Sequence, residues 1–245
     1  DRIGFWLDLK NAYVTYENNF IESLWWIFRQ ASLRGYLKSD YKVVPYCARC
    51  ETALASHELG QPGVYKKTED PSLYVKFPLK DEKDTYLLVW TTTPWTLPAN
   101  IAVAAHPGLT YTKYKTGKDF LWSYSPPPEK EDEEIEVVEK ISGKKLIGRE
   151  YKPLYKTWKK ESSSSFRILP ADFIQTTEGT GLVHIAPSFG EDDFNLIKSL
   201  DKILISNLPE TVDSRGYIIG KLPGSGKFVK EADKDIIADL KERNL

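Results

Sequence analysis

The stretch WTTTPWTLPAN, residues 90–100, places Thr91, Thr92 and Thr93 at the end of an apolar run and closes them off with Pro94 and Pro98. Strand side chains alternate between faces, so successive hydroxyls point opposite ways until Pro94, which lacks an N–H, ends the ladder. At least one hydroxyl is therefore expected to face a cleft. Threonine by itself is ordinary here, because β-branched residues favour strands. The loop that follows, with Trp95 and Asn100, is rigid, aromatic-walled and rich in hydrogen-bonding groups, as small-molecule sites are. A second stretch, GTGLVHIAPSFGEDDF at 179–194, carries His184 inside an apolar strand and Asp192 and Asp193 at a helix start. One aspartate is expected to cap or complement the helix N-terminus, which leaves the other free. For His184, a satisfied core histidine and a site residue weigh evenly. With only His57, His106 and His184 in the chain, a His-rich zinc hydrolase site is disfavoured.

Cys47 and Cys50 are the only cysteines and stand at C-x-x-C spacing, in what reads as half of a zinc ribbon. A structural metal half-site, a redox pair and two incidental thiols all remain open. A closed zinc site takes four ligands, and a thioredoxin-like role wants the pair at a helix N-terminus within a βαβ pattern, which the neighbours do not show.

Elements must hold these groups in place. ENNFIESLWWIFRQASLRGYL puts Phe20, Leu24, Ile27, Phe28 and Ala31 on one helical face, with Asn18 or Asn19 to cap its start and Gly35 its end. PSLYVKFPL, TYLLVWTTT, NIAVAAH, LTYTKYKTG and GTGLVHIAP read as strands, GEDDFNLIKSL as a helix, and KEADKDIIADLKERNL as a final helix with Ala232, Ile236, Ile237 and Leu240 inward. SPPPEKEDEE (125–134) and KESSSSF (160–166) are expected loops. The fold class this predicts is α+β, with a β-barrel-rich core and peripheral helices. The expected division is a helical N-terminal segment over 1–63 that includes the C-x-x-C turn, and a barrel core with C-terminal helices over 64–245. Neither a G-x-G-x-x-G opening a βαβ unit nor a P-loop is present.

The 245 residues are 41% hydrophobic and 28% charged, with 34 basic and 35 acidic side chains, so the chain folds and carries no global basic footprint for nucleic acid. No apolar run approaches the ~20 residues that span a bilayer, and DRIGFWLDLK is not a signal peptide, so a cytoplasmic protein without membrane contact is expected. Methionine is absent and the opening reads like mid-domain sequence, which points to an internal fragment.

Taken together, RIGFWLDLKNAYVTYENNFIESLWW, YKVVPYCARCETALASHE, LLVWTTTPWTLPANIAVAAHP and GTGLVHIAPSFGEDDF resemble the editing insertion of the isoleucyl-tRNA synthetase family. The resemblance covers nearly the whole chain and is weakest over 118–165 and in DKILISNLPETVDSRGYI, where nothing is carried over. Valyl and leucyl relatives have an arginine where Thr93 stands and an acidic residue where Trp95 stands, so TTTPWT points to the isoleucine branch. The resemblance implies the Val/Ile/Leu-tRNA synthetase editing-domain fold and hydrolysis of the ester of mischarged Val-tRNA(Ile), with Ile-tRNA(Ile) rejected. A pocket can discriminate one methylene by only about 1–3 kcal/mol, a limit for which the isoleucine synthetase is itself the usual illustration, and a second sieve answers it.

By the same resemblance, Asp193 holds the substrate α-ammonium, and Thr91, Thr92 and Thr93 line the pocket and fix the terminal adenosine and the attacking water. Trp95 and Asn100 shape the pocket, and the His184 ring occupies the space that isoleucine's extra methyl would need. Asp193, Thr91 and Thr92 are thus the expected catalytic residues, and Thr93, Trp95, Asn100 and His184 join Asp193 in substrate binding. No cofactor is implied for editing. ATP belongs to a synthetic domain whose H-x-G-H and K-M-S-K-S segments are absent here, and zinc would need a second cysteine pair from the parent to join Cys47 and Cys50. The implied partners are the tRNA(Ile) 3′ CCA end carrying valine and the remainder of the parent synthetase, the fragment itself being a monomer. A tRNA 3′-end docking module without hydrolysis and a zinc-ribbon interaction domain are the competing expectations.

Overall fold

A computed structural model describes residues 2, 4, 6–8, 10–128, 134–159 and 161–245. Residues 129–133 of the acidic loop and residue 160 of the serine-rich one lie outside the described residues. The chain divides into two units, Asp1–Lys42 and Val43–Leu245. The first unit contains helix α1 (Asn18–Leu33), which ends where Gly35 takes φ +72° and the Gly35 and Tyr36 amides return to the carbonyls of Ser32 and Ala31. The expected apolar face is present, yet no residue of α1 is buried.

The second unit starts with the hairpin β1 (Tyr46–Cys47) and β2 (Thr52–Ala53), followed by a single turn, α2 (Ser56–Leu59). The hairpin packs on the distal part of the same unit: Ser214 Oγ donates to Glu51, and Ala48 lies against Gly216. Next come β3 (Leu73–Pro78), β4 (Thr85–Thr91), a 3-10 helix (Pro94–Ala99), β5 (Ala102–Ala105), β6 (Thr110–Thr116), β7 (Asp119–Ser123) and β8 (Ile135–Ser142). The chain continues through α3 (Gly143–Leu146), β9 (Arg167–Pro170), β10 (Leu182–Ile185), α4 (Glu191–Leu200), α5 (Lys202–Ile205) and α6 (Val229–Glu242).

Two sheets carry the core. One has the order β3-β4-β7-β6-β8, with β4 and β7 parallel and the other pairs antiparallel; the other has the order β10-β5-β9, with β5 and β9 parallel. Position explains composition. Interior strand β4 reads TYLLVWT, with Leu87, Leu88 and Val89 buried, and β5 between its two neighbours is the fully buried AVAA. The isolated bridges Leu79–Tyr151 and Glu150–Arg167 lie between the two sheets. An α+β fold is thus observed, but the expected barrel is not closed: β8 and β10 pair on one edge only, and β8 exposes Val137 and Val138. Phe77, Tyr151 and Phe166 meet edge to face at 5.4 and 6.1 Å across this seam. On α6, Ala232, Ile236 and Leu240 are fully buried and Ile237 partly so, which fits the expected face. No helix among the described residues is long and apolar enough to cross a membrane.

Candidate functional site

β4 ends at Thr91, and the alternation places its side chain inward at 5% exposure while Thr92 points to solvent. Thr93 is half-buried just before the 3-10 helix. The inward hydroxyls meet the His184 ring. Thr91 Oγ1 stands 3.4 Å and Thr96 Oγ1 3.2 Å from His184 Nε2, and Thr93 Oγ1 lies 3.5 and 3.4 Å from the hydroxyls of Thr91 and Thr96. Thr96 Oγ1 donates to the Thr93 carbonyl at 2.8 Å, and in the tautomer with its proton on Nε2 the His184 ring donates to Thr96 in turn. Nδ1 then carries a lone pair and is buried without a partner. Burial pushes the His184 pKa down to about 4, which keeps the ring neutral at physiological pH.

Asp193 occupies the first turn of α4, but neither it nor Asp192 caps the helix. The N-cap is Gly190, which has no side chain to offer. Instead the Asp193 carboxylate folds back, and Oδ2 accepts the Ala186 N–H at 2.8 Å. A Cβ at residue 190 would stand 2.7 Å from that oxygen, so the approach requires glycine. Burial pushes the Asp193 carboxyl above its usual range, the Ala186 N–H opposes this, and the nearby Asp192 charge adds to it. Asp193 and Asp192 border a cavity of about 350 Å³ whose other walls include Trp90, Phe173, Thr177 and Val183. Gly181, at φ +69°, lies on the same wall, and its carbonyl accepts the Tyr111 hydroxyl at 2.7 Å. The buried Tyr111 phenol, itself pushed up to about 12, thus anchors this wall as a neutral donor.

The expected site residues fall into three groups. Thr91, Thr93 and His184 come together, with Thr96, which the sequence reading did not single out, at their centre. Asp193 shares no hydrogen bond with them, but it holds the backbone two residues beyond His184, and Phe189 sets its ring edge-on to Trp95 at 4.8 Å. Asn100 points inward: Oδ1 accepts from Tyr151 at 2.6 Å and Nδ2 donates to the Ala102 carbonyl at 2.8 Å. Its own carbonyl accepts the Trp158 indole N–H at 3.0 Å, so it braces the loop from behind. Thr96 could have been found in sequence as the residue three after Thr93, one turn along a 3-10 helix.

Cys47 ends β1 and Cys50 lies within the turn that leads to β2. Both are free thiols, and the Cys50 amide donates to Cys47 Sγ at 3.3 Å, which lowers the Cys47 pKa. Together they provide half the ligands a closed zinc site takes, and no group of three or more His, Cys, Asp or Glu among the described residues could hold a metal ion.

A model of the class I tRNA synthetases (I, L, M and V) matches residues 1–178, and the chain belongs to that family. Within it, the chain is similar to isoleucine–tRNA ligases. It is 42% identical to that of Clostridium kluyveri over 249 residues, covering 100% of this chain, and 43% identical to that of Pyrococcus horikoshii over 257 residues, covering 98%. It spans 23% of the length of each. Among solved structures, the P. knowlesi cytosolic leucyl-tRNA synthetase editing domain has a TM-score of 0.55 at 12% identity, over 73% of this chain and 96% of that one. GlLeuRS-CP1 has a TM-score of 0.53 at 16% identity, over 71% and 96%. These likenesses show a shared fold.

Proposed function

We propose that this chain is the editing domain of an isoleucine–tRNA ligase and hydrolyses the ester of mischarged Val-tRNA(Ile) while rejecting Ile-tRNA(Ile). The carrying observation is Asp193: a partly buried carboxylate with one oxygen pinned by Ala186 N–H, on the wall of a cavity. In this reading the carboxylate takes the substrate α-ammonium in a charge-assisted hydrogen bond and so fixes the ester carbonyl. Thr92, exposed just past the end of β4, and Thr93 hold the terminal adenosine and the attacking water, while Thr91 and Thr96 keep the neutral His184 ring in place. That ring, with Trp95, excludes the extra methyl of isoleucine, and Asn100 shapes the loop.

Water adds to the ester carbonyl, the acyl–oxygen bond breaks, and the products are valine and the free 3′-terminal hydroxyl of the tRNA. An aminoacyl ester is already activated, so catalysis is positioning and electrostatic stabilisation without a covalent intermediate. The partners are the tRNA(Ile) 3′ end and the rest of a cytoplasmic synthetase, in which a second cysteine pair would join Cys47 and Cys50 around zinc. The isolated chain is a monomer that neither uses ATP nor aminoacylates. Family membership, the identity to isoleucine–tRNA ligases and the shared fold support the reading. The test is deacylation of Val-tRNA(Ile) and Ile-tRNA(Ile) by wild type and by Asp193→Ala. Hydrolysis of the valyl ester alone, abolished in the variant, is expected; binding of the 3′ end without hydrolysis would make this a docking module instead.

A further inference from the structure

Resting on that reading, we propose that Asp233 on α6 is a positioning residue for deacylation: it caps the 3-10 helix Pro94–Ala99 from outside and thereby frees the Thr93 hydroxyl for the site. The first N–H groups of a helical turn have no partner within it. Pro94 has no N–H, so Trp95 N–H is the first that needs one, and a threonine at the position of Thr93 would ordinarily supply it from its own side chain. Thr93 does not: no side-chain cap is made, and its hydroxyl faces Thr91 and Thr96. The Trp95 N–H instead donates to Asp233 Oδ1 at 2.8 Å, across 138 residues of sequence.

Asp233 is an expensive residue to keep where it is. It is 1% exposed, among the buried Ala232, Ile236 and Leu240 of the same helix, and its second oxygen is buried without a partner. Burial raises its pKa; the Trp95 N–H and the Lys230 charge oppose this, and Asp70, itself paired with Lys230, adds to it. An apolar side chain would pack there at lower cost, since a buried carboxylate is stable only through what it binds. What it binds is the amide between Thr93, whose hydroxyl faces those of Thr91 and Thr96, and Thr96, which with Thr91 contacts the His184 ring.

The test uses the full chain with Asp233→Ala and Asp233→Asn. It follows hydrogen exchange of the Trp95 amide, the urea midpoint, and kcat/KM on Val-tRNA(Ile). Asp233→Ala should lose Trp95 protection and about 10-fold in kcat/KM per folded molecule, the equivalent of one buried hydrogen bond. Asp233→Asn keeps a carbonyl oxygen for Trp95 and should recover both. Wild-type kcat/KM in Asp233→Ala, a Trp95 amide still protected there, or no recovery in Asp233→Asn overturns the role. A lower midpoint with turnover per folded molecule unchanged makes Asp233 merely structural and overturns it too. Wild type hydrolysing neither ester overturns the editing reading and this role with it, a result distinct from an active wild type matched by Asp233→Ala.

Discussion

Acid should destabilise this fold through His184 in a window that can be worked out beforehand. The ring is held neutral in the native state, with its pKa at about 4 against an ordinary value of 6.5. A depressed native pKa means that the stability is fully present above pH 6.5. It is lost as the pH falls toward 4, because only the unfolded chain can take up the proton. At about 1.4 kcal/mol per pKa unit, the gap amounts to about 3 kcal/mol by pH 4. Other groups titrate nearby. Asp81 and Glu82, held low by Arg149 and Lys113, add to the loss at the acid end, while Asp193 and Asp233, both raised by burial, oppose it. The assay is therefore a difference: urea midpoints of wild type and His184→Gln at half-unit steps from pH 7.5 to 4.5. Glutamine keeps an N–H for Thr96 and cannot titrate, so the two curves should converge as the pH falls below 6.5. Parallel curves would refute the reasoning, since they would mean that the native ring accepts its proton among Thr91, Thr93 and Thr96 at no cost.

Asp193→Asn should raise the urea midpoint at pH 7, because a carboxylate whose native pKa is raised loses stability as the pH rises past that value; the same variant should lower valyl-ester kcat/KM by roughly 10- to 100-fold, and a variant both active and no more stable would contradict the placement. Gly190→Ala has an ordinary φ of −108° but sets a methyl 2.7 Å from Asp193 Oδ2, so kcat/KM should fall about 10-fold with unchanged circular dichroism. Asn100→Ala orphans the Tyr151 hydroxyl and the carbonyl of Ala102, and should cost about 2 kcal/mol in urea unfolding.

Much of the architecture is legible because strand periodicity is a local property. β3, β4, β5, β6 and β10 stand where alternating or β-branched runs put them, and α6 buries three of the four residues on its expected face outright. β7, β8 and β9 went unnamed: β7 follows a Gly117 turn, and β8 reads IEVVEKIS at a sheet edge, where charge replaces the alternation. Barrel closure is a matter of which edges pair at long range, and no window of sequence contains it. At the site, alternation foretells that Thr91 and Thr92 turn opposite ways, but not which of them turns in. That neither aspartate caps α4 depends on the Gly190 backbone and on the Ala186 amide, and the part played by Asp233 lies in another element altogether.

The hydrogen bonds that build the site span long stretches of chain: Thr91 to His184 across 93 residues, and Trp95 to Asp233 across 138. Such contacts carry a large loop-closure entropy that the intervening sheets reduce once they form, so late assembly of the site is the expected order. A ribosome delivers this chain from its N-terminus, and the threonine loop is synthesised long before the helix that steadies it. The Trp95–Asp233 contact therefore arrives only with α6, and a nascent chain lacking that helix has the threonine hydroxyls but not the buried carboxylate that caps their loop.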